Sequence, residues 1–207
     1  MTFCARGLKR FALLGCLLTS SCYLGSARTT TPSELARESG WEVVSAVPDV
    51  RQVARVDCGA AALTMVLRYW GLPVTRDQVA MASRHASDQG IRAADLREFA
   101  RNQGLQSFLI RGQQADLERE IHRHRPILVG VMKRYIFRNY PHYEVVVGLN
   151  RHQQRVLTLD PAHGLRVNSW AGFTTEWTKA GQLTLVLFPQ EPTVQVAQEA
   201  SVRPPSR

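Results

Sequence analysis

"RVDCGAAALTMVLRYWG", residues 55–71, is the stretch on which the fold turns. From Cys58 to Trp70 the chain is apolar nearly all round, and Gly71 and Pro73 follow as stop signals. This spacing predicts a buried central helix over 58–70. Its first residue is a cysteine, and two readings of that thiol stand side by side. Free cysteine is among the most buried residue types, which makes Cys58 a packed core residue. A thiol at a helix N-terminus is also placed to be a nucleophile, because unpaired N–H groups and the helix dipole favour a thiolate.

Working outward, "TRDQVAMASRH" (75–85), "IRAADLREFARNQG" (91–104) and "QADLEREIHRH" (114–124) carry the amphipathic period of helices. "LQSFLI", "PILVGVM", "HYEVVVGL", "RVLTLD" and "LTLVLF" read as strands, with a short helix around "WAGFTTEW". Helices first and strands afterwards describe an α+β domain, with the Cys-bearing helix packed on a mostly antiparallel sheet. The aromatic and basic "KRYIFRNYPHY" (133–143) reads as a loop, either solvated or overhanging a cleft.

The ends of the chain differ from its middle. "MTFCARGLKR" is a positive n-region, "FALLGCLLT" a short apolar run and "SSC" a small-residue approach to a cysteine. The run is about half the ~20 residues of a spanning helix, so residues 1–22 read as a signal peptide. Its end resembles a lipoprotein signal with Cys22 as the lipidated residue; ordinary secretion is the alternative. Cys4 and Cys16 leave with the signal; with Cys22 acylated, Cys58 is the one free thiol and a disulfide framework is excluded. Residues 23–46 read as a tether, polar over 23–40, where "TTTPSE" is tether or helix start; "WEVVSAVPDV" enters the domain as an extended stretch, 47–188 is the domain and 189–207 a disordered tail.

The net charge is +9, but three of the basic residues, Arg6, Lys9 and Arg10, belong to the signal. The others are scattered without a basic run, which argues against nucleic acid as a partner. His122 and His124 are not spaced for one helix face and have no cysteine or paired carboxylate nearby, so no metal site is expected. No cofactor is called for.

The strands "PHYEVVVGLN" and "RVLTLDPAHG" should form a hairpin across the short polar "NRHQQ". If Leu149 pairs with Gln153, His142 and Asp160 come directly opposite each other, about 4.5–5.5 Å apart at Cβ. A carboxylate there can hold an imidazole in one tautomer. The inference depends on register, since a slip of one residue puts the two on opposite faces. Asp160 also begins "DPAHG", a good turn, so a purely structural role competes, and His163 is a second candidate base.

Together, "VRQVARVDCGAAALTMVLRYWG", "HYEVVVGLN" and "LDPAHG" resemble the bacteriocin-processing, double-glycine leader peptidases and their stand-alone relatives. These form cysteine-peptidase family thirty-nine of the papain-like superfamily. The resemblance covers about residues 47–188. It implies a papain-like fold with Cys58 as nucleophile, His142 as general base and acid, Asp160 as the carboxylate orienting it, and Gln52 as the side-chain donor of an oxyanion hole. It does not extend to the membrane spans and ATPase of the transporter-linked members, and Ala60 stands where stand-alone members often have proline.

The function expected is a membrane-anchored, exported cysteine peptidase acting on a peptide or protein. A monomer is expected, on the outer membrane facing the periplasm, with a soluble secreted or periplasmic form as the alternative. The competing functions are a thiol acyl or peptidyl transferase and an inactive peptidase-like lipoprotein that only binds.

Overall fold

A computed structural model describes residues 23–54, 56–82 and 90–190. Strand β1 (Arg28–Thr29), helix α1 (Pro32–Leu35) and strand β2 (Trp41–Val43) come first. Helices α2 (Cys58–Tyr69), α3 (Arg76–Ala82) and α4 (Ala93–Asn102) follow. Next are strand β3 (Leu105–Arg111), helix α5 (Gln114–His122), and strands β4 (Ile127–Arg134), β5 (Asn139–Asn150), β6 (Arg155–Asp160) and β7 (Gly164–Ser169). Helix α6 (Trp170–Lys179) and strand β8 (Leu183–Pro189) complete the order. The signal with Cys22, the residues beyond 190 and the end of the helix expected over 75–85 lie outside the described residues.

All strands join one eight-stranded sheet in the order β1-β7-β6-β5-β4-β8-β3, with β2 added to β5. Every pairing is antiparallel. This is the mixed helix and antiparallel-sheet fold that the sequence predicts. Residues Cys58 to Leu67 of α2 are all buried. Leu63, Met65 and Leu67 belong to the core that includes Leu128, Val145, Val147 and Leu185 of the sheet. Helices α5 and α6 cover the other face, where Leu117, Ile121, Phe173 and Trp177 join Ile127, Val129, Val131 and Val146. Because both faces are covered, "ILVGV" in β4 is a continuous apolar run rather than an alternation.

The β5–β6 hairpin corrects the expected register. Asn150 pairs with Arg155, Leu149 with Val156 and Gly148 with Leu157, across a turn over 151–154. The register then shifts, and Val146 pairs with Thr158 and Val145 with Leu159. Val147 is the extra residue of a β-bulge. The side-chain pattern records it: Val145 and Val147 enter one core and Leu149 the other, which strict alternation forbids. Gly148 sits where a Cβ would meet the Glu42 carbonyl of β2 at 3.0 Å, so only glycine allows that strand to approach. Beyond the bulge Asp160 lies across from Glu144, two residues from the expected His142. A shift of two preserves the face, and His142 remains its diagonal neighbour.

Residues 23–46 are not a tether. Tyr23 bridges Tyr135, β1 pairs with β7, and β2 takes the edge of β5 beyond the end of β4. Between them α1 opens on a capping box of Thr31 and Glu34 with Pro32 in its first turn. Ala27 and Val44 are buried and Trp41 packs on the core. The segment looks polar, yet a few apolar anchors and backbone pairing suffice to order it. The stretch read as a loop over 133–143 is likewise mostly strand, with Tyr135 N–H bonded to the Arg138 carbonyl at the turn.

Candidate active site

Cys58 opens α2, a position fixed by the apolar run behind it. Asp57 precedes it but does not cap the helix; its carboxylate instead accepts from the Ala54 N–H at 3.0 Å. The backbone N–H groups of the first turn are therefore left without a side-chain cap. A Cβ on Gly59 would meet the Tyr143 ring at 3.1 Å, so glycine lets β5 approach the thiol closely. Cys58 is a free thiol, 6 % exposed.

His142 reaches this thiol from β5. Its Nε2 lies 2.8 Å from Asp160 Oδ1, and the Cys58 side chain is a further hydrogen-bond partner of the imidazole. Asp160, fully buried at the end of β6, also accepts the Ala162 N–H at 2.8 Å. Burial alone would lower the imidazole's pKa, but the bonds and charges of Asp160 and Cys58 outweigh it and push the value to about 10. Burial works against the Asp160 anion as well. The hydrogen bond and charge of His142 win, and hold Asp160 well below the usual carboxylate range. The pair is an imidazolium and a carboxylate at neutral pH.

Gln52 lies on the same cleft. Its backbone N–H donates to the Pro161 carbonyl at 3.0 Å, and its buried Oε1 has no hydrogen-bond partner. The cleft encloses about 940 Å³ and is lined by Gln52, His142 and Asp160, with Tyr23, Tyr135, Tyr140, Arg138 and His163 around them. Cys58 itself is buried and is not part of that lining. The backbone N–H of His163 closes the turn on the Asp160 carbonyl at 3.1 Å. Burial, with the neighbouring Arg166 and His142 charges, lowers its pKa and keeps it neutral.

Beside His142 and Asp160 is a group of charges that sequence reasoning missed, and its lysine also lines the cleft. Lys133, expected in solvent or on substrate, is buried between Glu144 and Glu176, with its Nζ 3.1 Å from Glu176 Oε2. Tyr23 donates its hydroxyl to Glu176 Oε1 at 2.7 Å. These two carboxylates hold the ammonium above its ordinary range despite burial. The available signal was Glu144 itself, an acid inside the apolar run "YEVVV". Among the described residues, ligand atoms of His142, Glu144 and Asp160 come within 4.8 Å of one another. Their charges are already met by Lys133 and by the His142–Asp160 bond. His122 pairs with Glu42 at 2.9 Å, away from that group.

An imidazole set between a helix-start thiol and a buried carboxylate belongs to the cysteine-type peptidases, and so does this protein. The chain is a member of the Peptidase C39 family, whose model matches residues 46–191. It is 31 % identical over 132 residues to the lactococcin-A transport/processing ATP-binding protein LcnC of Lactococcus lactis, covering 61 % of this chain and 17 % of that protein. The chain thus spans about a sixth of the curated relatives it matches. Among solved structures, the peptidase domain of Streptococcus ComA, a bi-functional ABC transporter, aligns with TM-score 0.58 at 26 % identity, covering 68 % of this chain and 97 % of that one. A double glycine motif protease from an AMS/PCAT transporter, solved with its leader peptide, aligns with TM-score 0.55 at 25 % identity over 70 % and 94 %. A C39-like peptidase from Bacillus anthracis shares the fold alone, with TM-score 0.59 at 15 % identity over 72 % and 98 %.

Proposed function

We propose that Cys58, His142 and Asp160 are the catalytic residues of this peptidase and that its substrate is a peptide of the leader type. The observation carrying this reading is the His142 imidazole, bonded to buried Asp160 at 2.8 Å and within hydrogen-bonding reach of Cys58. Cys58 attacks the scissile carbonyl, and the Gln52 amide with a backbone N–H at the start of α2 stabilises the oxyanion. His142 gives its proton to the departing amine, leaving a thioester. It then takes a proton from water, whose oxygen bonds the acyl carbon as the thioester C–S bond breaks, which releases the acid and restores the Cys58 thiolate beside the imidazolium. Residues 1–22 act as a lipoprotein signal, with Cys22 acylated and the domain held at the outer membrane, facing the periplasm. The charged start, the short apolar run and the small residues before Cys22 support this.

A thiol-directed peptide probe at neutral pH should label Cys58 in the purified chain. Gln52→Ala should keep that labelling yet lower turnover by about 100–1000-fold with little change in KM, because the amide acts on the developing oxyanion. A chain that the probe never labels sinks the proposal.

The pH dependence follows from the His142 shift. Its pKa is raised, so the imidazolium persists through neutral pH and is lost as pH rises through about 10. The basic limb of kcat/KM should lie near that value. Asp160→Asn removes the carboxylate charge that helps raise it and should move the limb toward lower pH. An unmoved limb in that variant assigns the titration to another group.

A further inference from the structure

We propose that the tip of the β4–β5 hairpin is a docking surface for an anionic bilayer, and that it turns the active-site cleft toward membrane-surface peptides. The inference rests on the anchored reading given above, and deepens it. At the tip, Ile136 is 52 % exposed and Phe137 82 %. Leu24, 51 % exposed, lies alongside, since its N–H bonds the Arg134 carbonyl at 2.8 Å. Arg134 and Arg138 flank the two apolar residues, and Arg28 follows on the adjoining segment; residues 23–29 and 133–141 contain no acid. Apolar side chains among arginines suit the boundary between acyl chains and anionic headgroups.

The position of Tyr23 selects the occupant. Tyr23 bridges Tyr135, one residue before the tip. Cys22 is bonded to Tyr23, with consecutive Cα atoms about 3.8 Å apart. Acyl chains on Cys22 therefore enter the bilayer beside Ile136 and Phe137. Tyr23, Tyr135 and Arg138 also line the cleft, so its mouth and the apolar tip share one rim. A cleft held there meets peptides lying on the membrane before those free in solution.

The test uses the purified full chain mixed with vesicles of phosphatidylcholine and brominated phosphatidylglycerol. Phe137→Trp should add emission that the brominated lipid quenches. Phe108→Trp, on the outer strand β3, should add emission that it does not. Ile136→Ser with Phe137→Ser should weaken vesicle partitioning by roughly tenfold or more, and high salt should weaken it in the parent. Equal quenching at both positions, or none at 137, overturns the docking surface, as does a tip shielded by peptide substrate instead of lipid. Lipid labelling of cells carrying Cys22→Ser tests the anchor separately. Acylation unchanged in that variant sinks Cys22 as the anchor, while the quenching result stands on its own.

Discussion

Lys133→Met should be among the most destabilising single changes in this chain. The ammonium is the shared partner of Glu144 and Glu176, and all three groups are buried. Removing one member of a buried ion pair leaves a charge without water or partner, at a cost of about 3–5 kcal/mol. For a domain of this size the Tm should fall by roughly 10 °C or more. The triple variant Lys133→Met, Glu144→Gln, Glu176→Gln removes the stranded charges and should recover most of the loss. Thermal unfolding of both decides the matter: a single variant that melts like the parent would falsify the neutralising role.

On the proposed mechanism the largest effect on activity should come from Cys58→Ala, which would delete the bond-forming atom and reduce turnover by about 10⁵–10⁶-fold. His142→Ala should be nearly as severe, because one imidazole serves the thiol and then the leaving amine. Asp160→Asn should preserve the fold and leave measurable turnover, lower by about 10⁴-fold, since it misorients the ring without removing it. His163→Ala should stay near the parent. Steady-state turnover of one peptide by the four variants, each checked for folding, gives the ranking. A dead His163→Ala beside a fully active Asp160→Asn would transfer the base from His142 to the turn.

Legibility from sequence followed the strength of the local pattern. The α2 helix was readable because its apolar residues run unbroken from Cys58 and stop at a glycine and a proline. His142 and Asp160 were paired correctly on the wrong register. The assumed loop was too short and the bulge at Val147 unforeseen, but those two errors shift parity twice and so cancel at the face. Gly148 inside "VVVGL" was the one local hint of that bulge. Within residues 23–46 the helix start at "TTTPSE" and the extended "WEVV" were legible, but their docking was not: strands of two or three residues carry no period, and the neighbouring strands hold them in place. Lys133 was misread for a related reason. A lysine's burial depends on the two distant acids, Glu144 and Glu176, that come to meet it.

The leading segment bears on how the domain could be isolated. A fragment cut to residues 46–191, the limits of the family match, lacks β1 and β2. It bares the backbone of β7 and the end of β5, and takes the Tyr23 hydroxyl from Glu176. Open strand edges are templates for pairing between molecules, and they drive aggregation. The first strands are therefore the sheet's guard against self-association, and the family boundary is a poor place to cut.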